Sequence, residues 1–282
     1  RLLSFGGDPC GRPVACLACP VAQGRPPQWW RSTGLLGRAL RNVDAFLSPS
    51  RFGEQLHRRL GIDATFSHLP NFVPEAAPDR NAPARTPSGA STEPYFLYVG
   101  RLEEPKGAHT LIPFFRGWRR ARLLLAGGGR DADRLRRLAA GDGRNAPVGG
   151  GPAGGLPPAF RRAGALIVPS LSFELFPLVA LEALREGTPV VARARGSLPE
   201  IVAESGGGVT YDDDASLAAA LDRLLDDAAW RDTLGRRGAA AQRRLWSSEA
   251  HLERYLEIIA EVAARRAAAA PATRRPARAR AV

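Results

Sequence analysis

Methionine is absent from the 282-residue chain, even at position 1, which is arginine. We therefore expect a fragment or a processed chain. No stretch approaches the about 20 consecutive apolar residues that a membrane-spanning helix needs, so we predict no such helix. The N-terminal residues also lack the apolar core of a secretory signal. Lysine is almost absent, because 39 of the 40 basic residues are arginine and the single lysine is Lys106.

Cysteine is scarce, and its three copies are clustered at Cys10, Cys16 and Cys19. An odd, clustered number argues against a disulfide scaffold and favours a reducing compartment. Three cysteines could supply three ligands of a zinc ion. No fourth cysteine follows, and the nearest histidine is His57. We therefore favour structural or vestigial cysteines over a metal site.

The net charge of +12 is confined to patches. Residues 1–41 sum to +5, 116–144 to +6 and 261–282 to +5, whereas 42–115 sum to −1 and 145–260 to −3. The last patch alternates arginine with alanine and proline, which predicts a solvated, disordered tail. Contact of this tail with nucleic acid or anionic lipid is the alternative. Nucleic-acid binding ranks last, because no stacking aromatics are interleaved with the arginines.

Short apolar strands alternate with helices over most of the chain, which predicts a parallel sheet covered on both faces. A helix, strand, helix and strand before Asn71 indicate the end of a second α/β unit whose front is absent. The predicted strands are 44–48, 65–69, 95–99, 122–126, 165–168, 189–192 and 208–211, with 148 a weak candidate. The predicted helices are 26–42, 50–60, 106–119, 131–140, 158–163, 177–186, 198–203, 214–227, 228–245 and 248–267.

Ligands of open α/β sheets bind at the carboxyl ends of the strands, so the residues that follow each strand are the candidates. After the strand 95–99 come Gly100, Arg101 and Lys106, with the two cations flanking a turn that opens a helix. Two fixed charges and a helix N-terminus suit a diphosphate. The alternative is a polar loop with surface charges. Glycines 127–129 follow the next strand and allow close approach of a ligand, unless the turn itself requires them.

The segment after the strand 165–168 combines a helix start with two carboxylates. Pro177 suits the first helical position, which leaves the N–H groups of Leu178 and Val179 free to bind an anion. Glu182 lies one turn further on the same face, and Glu174 lies in the loop before the helix. Two carboxylates beside an anion site suit a polyhydroxylated anionic ligand. The alternative is an ordinary first-turn acid and a surface acid.

Four segments, in this order and spacing, resemble the donor-binding domain of the retaining nucleotide-sugar glycosyltransferases of family four. They are YVGRLEEPKG (98–107), LLLAGGG (123–129), 165–202 and 205–225. The stretch 44–73 is similar to the end of that family's first domain. The resemblance implies an α/β fold of GT-B type, with one complete Rossmann-like C-terminal domain and the remnant of a second, N-terminal one.

The resemblance also implies roles for individual residues. Arg101 and Lys106 would neutralise the donor diphosphate, Glu174 would hold donor-sugar hydroxyls, and Glu182 would hold the ribose. We place Glu174 with the two cations as catalytic but do not assign it as a nucleophile, since catalysis would rest on positioning and charge stabilisation. The remaining donor-binding residues are Gly100, Gly127, Gly129, Ser170, Phe176, Pro177, Leu178 and Val179. No metal or cofactor is expected besides the nucleotide-sugar substrate.

This sequence departs from the family pattern in three places. Leu175 stands where glycine usually follows the first glutamate, which puts close backbone approach there in doubt. The base-binding stretch 145–155 is degenerate. The Gly-rich loop and the histidine of the first domain are absent, so we expect that about the first third of the enzyme is missing. The segment GRPVACLACP (11–20) resembles a cysteine-rich insertion of some members.

The expected division is a remnant of the acceptor-side domain (1–72), a linker (73–94), the nucleotide-sugar-binding domain (95–246), a closing helix (247–266) and a tail (267–282). The expected function is retaining transfer of a sugar to an acceptor hydroxyl, with this fragment binding only the donor. The alternatives are a non-catalytic nucleotide-sugar-binding module and a sugar-nucleotide epimerase of the same fold.

The expected partners are a nucleotide-sugar donor, a glycan or lipid-linked acceptor and an anionic membrane surface, and nucleic acid is not among them. The expected setting is cell-surface polysaccharide or glycolipid synthesis in the cytoplasm, at the inner face of the plasma membrane. Phe114, Phe115 and Trp118 of the helix 106–119 are interpreted as a core face, with docking on anionic lipid as the alternative.

Overall fold

The computed structural model describes residues 26, 33–62, 64–74, 93–140 and 156–269. The first part of the chain forms a small α/β unit, in which two short parallel strands pair with Phe46 opposite Phe66. Its elements are α1 (Leu35–Leu40), β1 (Phe46–Ser48), α2 (Arg51–Arg59) and β2 (Phe66–His68). The side chain of Ser50 accepts a hydrogen bond from the N–H of Gly53, which fixes the predicted start of α2.

The main domain is built on a five-stranded sheet in which every neighbouring pair is parallel. The strands are β3 (Tyr95–Val99), β4 (Arg122–Ala126), β5 (Leu166–Val168), β6 (Val190–Arg193) and β7 (Gly208–Tyr211). Their spatial order is β4-β3-β5-β6-β7, so β3 lies between β4 and β5. All seven strands of the two sheets agree with their predicted positions to within two residues at each end.

Helices cover both faces of this sheet, as the sequence predicts. They are α3 (Ala108–Trp118), α4 (Ala132–Ala139), α5 (Leu156–Arg162), α6 (Leu178–Arg185), α7 (Leu198–Ser205), α8 (Asp214–Asp226), α9 (Ala228–Leu245) and α10 (Ser248–Ala269). One buried cluster joins Phe96 and Leu123 to α3 and α8, and a second joins Leu97 and Leu166 to α5 and α6. Alternate residues of β3 therefore enter opposite layers of the core.

Several predicted helix starts differ from the structure by one or two residues. The helix predicted from Lys106 begins at Ala108, after a single 3₁₀ turn over Glu104–Lys106, because Gly107 adopts a left-handed conformation with φ of 76°. Pro177 precedes the first residue of α6 and has an extended backbone with ψ of 110°. The last helix also extends to Ala269, beyond the predicted start of the tail.

Several predictions concern residues outside the described ranges. They include the three cysteines, the weak strand candidate Val148, the degenerate stretch 145–155, most of the linker 73–94 and the tail beyond 269. Only Leu35–Leu40 of the predicted helix 26–42 is described as helical. In the described part of the chain, no helix is both long enough and apolar enough to cross a membrane.

The aromatic residues of α3 belong to the core. Phe115 is buried, and Phe114 and Trp118 pack against the same cluster. The indole of Trp118 stacks with Phe114, with ring centroids 6.1 Å apart, and donates a hydrogen bond to Asp222. The interpretation of these residues as a core face is confirmed, while their docking on anionic lipid stays a prediction.

The last helix joins the first unit to the main domain. At its start, the ring nitrogen Nδ1 of His251 lies 2.7 Å from the carbonyl oxygen of Pro70, and near its end Arg266 pairs with Asp44 at 2.7 Å. Between these two contacts, a stripe of apolar side chains is exposed at Leu252, Leu256 and Ile259.

A second contact between the units centres on Glu200, in the first turn of α7. Its carboxylate accepts hydrogen bonds from the backbone N–H groups of Arg51 and Phe52, at 2.8 and 3.0 Å. The ring nitrogen Nε2 of His68 lies 3.7 Å from the same carboxylate. The first turn of α2 is therefore anchored on the main domain.

His68 gives this contact a pH dependence. Burial is the largest cause of its lowered pKa, the charge of Arg51 adds to it, and the charges of Glu200 and Glu54 oppose it. The pKa in the folded state thus lies below the ordinary value of 6.5. The neutral ring contributes its stability in full above that value, and the contribution is lost as the pH falls through the folded-state pKa.

We expect the His68→Gln variant to lose less stability in acid than the wild type. Denaturant titrations between pH 7 and pH 5 measure the free energy of unfolding. The wild-type value should fall more steeply than that of the variant, by no more than about 1.4 kcal/mol per pH unit, the limit for one proton. Equal slopes for the two proteins would show that His68 is not the acid-sensitive group.

Candidate active site

The loops that follow β3 and β5 meet at the carboxyl edge of the sheet. The two strands are neighbours, with Leu97 opposite Leu166. The backbone N–H groups of Leu171 and Ser172 both donate to the carbonyl oxygen of Pro105, at 2.9 and 3.1 Å. This pairing brings together two candidate segments that lie more than 60 residues apart in the sequence.

Gly107 makes the close contact of these loops possible. Its φ of 76° is in the left-handed region, which favours glycine. A Cβ atom at this position would also collide with the carbonyl oxygen of Pro169. The residue after Lys106 therefore has to be glycine for the 3₁₀ turn to pack against the loop after β5.

Lys106, Glu174 and Ser170 form one polar cluster at this edge. The Nζ atom of Lys106 lies 2.7 Å from Oε1 of Glu174. The hydroxyl of Ser170 donates to the same oxygen at 2.6 Å. The two charged side chains are 25% and 13% exposed, which makes this pair much less accessible to water than a surface ion pair. Among the described residues, nothing donates to the second oxygen, Oε2, of Glu174.

The N-terminus of α6 lies directly after this cluster in the sequence. Leu178 and Val179 are its first two residues, and the part of the chain that the structure describes offers their N–H groups no acceptor. Glu182 lies one turn further on the same helix face and is partly exposed. Its carboxylate makes no hydrogen bond or ion pair with the described residues. Free amides and a free carboxylate therefore lie within one turn of each other.

Arg101 stands apart from the polar cluster. Its side chain is 68% exposed and pairs with Glu103 at 3.1 Å. Its backbone is fixed, because the hydroxyl of Tyr98 donates to its carbonyl oxygen at 2.7 Å. Burial is the main reason why the pKa of Tyr98 lies above its ordinary value, so this hydroxyl remains a donor at neutral pH. Of the two predicted cations, the structure brings only Lys106 to Glu174.

The glycines after β4 have a packing role. Gly127 has a φ of 142°, and a Cβ atom there would collide with the carbonyl oxygen of Gly100. The N–H of Gly100 donates to Ala126 at 3.0 Å, and the carbonyl of Gly128 accepts from Leu102 at 2.8 Å. Gly129 has a φ of 157°, and a Cβ atom there would collide with the carbonyl oxygen of Leu102, so the contact of the two loops requires glycine at positions 127 and 129. The predicted role of Gly127 and Gly129 beside a nucleotide stays a prediction.

Phe176 and Leu175 differ in their surroundings. The ring of Phe176 is 7% exposed and meets Trp246 edge-on, with ring centroids 5.9 Å apart. Only its backbone is available to a ligand. Leu175, which replaces the usual glycine, is 45% exposed, and its Cδ2 atom lies beside Gly53 of α2.

Within the described ranges, no group of three or more histidine, cysteine, aspartate or glutamate side chains is arranged to hold a metal ion. The three cysteines lie outside those ranges.

Residues 83–241 match the family model of glycosyl transferases, group 1, and the chain belongs to this family. Its α/β fold with a parallel sheet is of the GT-B type found in these enzymes. The chain is 32% identical over 226 residues to a GDP-mannose-dependent monoacylated alpha-(1-6)-phosphatidylinositol monomannoside mannosyltransferase of Corynebacterium glutamicum. It is 39% identical over 177 residues to glycogen synthase of Mycobacterium tuberculosis.

These alignments cover 71% and 58% of this chain but 57% and 40% of the two relatives. The chain thus spans about half the length of the curated relatives that it matches. Sucrose-phosphate synthase of Thermosynechococcus elongatus superposes with a TM-score of 0.68 at 28% identity, over 85% of this chain and 63% of the other. HepE of Anabaena, solved in complex with UDP, superposes with a TM-score of 0.69 at 17% identity, over 83% and 68%.

Proposed function

We propose that this chain binds a nucleoside diphosphate sugar at the carboxyl edge of the main sheet. The observation that carries the proposal is the cluster of Lys106, Glu174 and Ser170 beside the free N-terminus of α6, in a member of glycosyl transferases group 1. A diphosphate needs a cation and amide donors, and a sugar needs carboxylates that accept from its hydroxyls. Both kinds of group are concentrated in this cluster and the first turn of α6.

In this proposal the diphosphate takes the place of Glu174 as the partner of Lys106. The amides of Leu178 and Val179 add donors and the positive end of the helix dipole. Glu174 is then free to accept hydrogen bonds from the donor sugar. Arg101 is held away by Glu103 and serves the diphosphate only if its exposed side chain swings inward. No metal ion is needed in this scheme, because fixed cationic and dipolar groups neutralise the diphosphate.

The complete enzyme would transfer the sugar to an acceptor hydroxyl with retention of configuration. The bond between the anomeric carbon and the β-phosphate oxygen breaks, and its electron pair leaves with the nucleoside diphosphate. The acceptor oxygen bonds to the same face of the sugar and gives its proton to the departing phosphate. Lys106 and the start of α6 stabilise the charge that develops on the leaving group.

Glu182 provides the test of the nucleotide part of the site. We expect Glu182→Ala to weaken binding of UDP, GDP or ADP by about tenfold, the effect of losing about one charged hydrogen bond to the ribose. Inorganic pyrophosphate, which has no ribose, should bind the variant and the wild type equally. Isothermal titration calorimetry measures both affinities. Unchanged binding of all three nucleotides to the variant would remove Glu182 from the site.

A non-catalytic donor-binding module is the second candidate. It is favoured by the location of the proposed donor groups, because Lys106, Glu174 and the start of α6 all belong to the main domain. The two candidates differ in turnover. A module binds the nucleotide sugar and releases no nucleoside diphosphate when candidate acceptors are added, whereas a transferase releases one equivalent for each sugar transferred. Coupled detection of the released nucleotide decides between them.

The acceptor and the cellular setting are also part of the proposal. We propose a glycan or lipid-linked acceptor, and a place in cell-surface polysaccharide or glycolipid synthesis at the inner face of the plasma membrane. The name of the Corynebacterium glutamicum relative, which contains a phosphatidylinositol acceptor, supports this class of acceptor. The aromatic residues of α3 do not carry this part of the proposal, because Phe115 is buried and Phe114 and Trp118 pack against the core.

A further inference from the structure

Helix α2 of the first unit is anchored on the main domain by one carboxylate. Glu200 accepts hydrogen bonds from the N–H groups of Arg51 and Phe52, and its side chain is only 14% exposed. The first N–H groups of a helix have no partner within the helix, so a carboxylate that receives two of them fixes the helix end in place. Glu200 therefore sets where α2 lies on the main domain.

The same end of α2 packs against the loop that carries Glu174. The ring of Phe52 stacks on Phe173, with centroids 5.2 Å apart and planes at 28°. A Cβ atom built on Gly53 would lie 3.5 Å from Cδ2 of Leu175, so these two residues are adjacent. Both neighbours of Glu174 in the sequence are thus in contact with α2.

The segment between β6 and α7 also holds this loop. The N–H of Ser197 donates to the carbonyl oxygen of Glu174 at 3.0 Å. The guanidinium of Arg195 lies over the ring of Phe173, 4.9 Å from its centroid. Glu200 follows three residues after Ser197. The segment 195–200 therefore contacts both the loop 173–175 and the helix α2, which packs against that loop.

We propose that Phe52 and Glu200 are positioning residues for Glu174. By holding α2 against residues 173–175, they set where the Glu174 carboxylate lies relative to the donor sugar. This inference rests on the proposed function, because it takes Glu174 to hold the sugar. The inference also assigns a role to Leu175. Its side chain contacts α2, whereas a glycine at this position would have no side chain to make that contact.

A positioning role differs from mere packing in what it changes. Lys106, Glu182 and the start of α6 are the groups proposed to bind the diphosphate and the ribose. Within the described residues, they make no hydrogen bond or ion pair with α2. Loosening α2 should therefore affect the sugar and leave the nucleotide unaffected. A purely structural contact would alter the stability of the protein without distinguishing between these two parts of the ligand.

The test uses Glu200→Gln and Phe52→Leu, with Glu204→Gln as the matched control. Glu204 lies one turn further along α7, and its one ion pair within the described residues is with the side chain of Arg51, at 3.8 Å. Calorimetry measures the affinities of UDP, GDP and ADP and of UDP-glucose, GDP-mannose and ADP-glucose. The comparison uses the nucleoside diphosphate that the wild type binds and the nucleotide sugar with the same base. We expect both test variants to keep their affinity for the nucleoside diphosphate within about twofold. Affinity for the nucleotide sugar should fall at least about fivefold, and the control should change neither.

Parallel changes in both affinities, or no change in either, would overturn the positioning role. A wild type that binds none of the nucleoside diphosphates would instead contradict the proposed function. Hydrogen exchange at the Ser197 amide gives a readout without any ligand. Because this N–H donates to Glu174, its exchange should accelerate in Glu200→Gln and Phe52→Leu but not in Glu204→Gln. If exchange at Ser197 is unchanged in the two test variants, α2 does not hold the loop 173–175 in place, and this result needs no bound nucleotide.

Discussion

Replacing Lys106 with alanine is expected to weaken nucleoside diphosphate binding by about 10- to 100-fold. The estimate follows from the loss of one charge-assisted hydrogen bond, worth about 1.5–3 kcal/mol. The effect should be in the lower part of this range, because the wild-type lysine first has to leave Glu174, its partner at 2.7 Å. Calorimetric titration with UDP, GDP and ADP measures it.

Two further variants separate the position of the charge from its presence. Lys106→Arg should recover part of the affinity, because it keeps the charge but places a broader group next to the close contact between Gly107 and Pro169. Arg236→Ala removes a cation from the exposed face of α9 and should have no effect. An equal loss in Arg236→Ala and Lys106→Ala would mean that net charge, and not this site, attracts the nucleotide.

Replacing Trp246 with alanine is expected to lower the free energy of unfolding by about 3–5 kcal/mol. The side chain is 1% exposed and packs edge-on against Phe176 in the core layer beneath the active site. Its backbone carbonyl also accepts hydrogen bonds from Val73 and Gln242, at 3.2 and 3.3 Å. The truncation would therefore open a large cavity where α9, the site loop and the end of the first unit meet. Denaturant unfolding followed by circular dichroism measures the loss.

Two control variants make this stability prediction specific. Trp246→Phe should cost clearly less than alanine, since it keeps most of the apolar contact and removes an indole N–H that has no acceptor among the described residues. Trp230→Ala should also cost less, because Trp230 is partly exposed and lies under Arg223, 4.0 Å from its ring. Losses of similar size at Trp246 and Trp230 would count against a central role for Trp246.

The sheet could be predicted from the sequence because its strands are buried on both faces. Segments such as YFLYV (95–99) are continuous apolar runs, and each is bounded by polar or glycine-rich turns. The strand limits therefore follow from local composition. Ligands of open α/β sheets bind at the carboxyl ends of the strands, and this rule identified Lys106, Glu174 and Glu182 as candidates before their positions were known.

The helix starts were less predictable, because they depend on contacts between distant segments. The helical pattern of the sequence includes Lys106, two residues before the observed start at Ala108. No local signal shows that Gly107 takes a left-handed conformation. The reason lies more than 60 residues away, in the carbonyl of Pro169. A glycine directly after the only lysine was the one local signal of this tight packing.

The direct contact of Lys106 with Glu174 was also missed. Consecutive strands such as β3 and β4 are expected to be neighbours, but a sequence does not specify that β5 takes the other side of β3. The contact of α2 with the loop 173–175 was missed for a different reason. Phe52 and Glu200 are ordinary residues for the first turn of a helix, so only the folded structure distinguishes them.

The most direct test of the donor site is a titration of the isotope-labelled protein with UDP, GDP and ADP, followed by amide chemical shifts. We expect the N–H signals of Leu178 and Val179 to shift with one common dissociation constant for the nucleotide that binds. The same shifts should be lost or greatly weakened in Lys106→Ala. Binding that leaves these two amides unchanged and moves signals at another surface would contradict the proposed site.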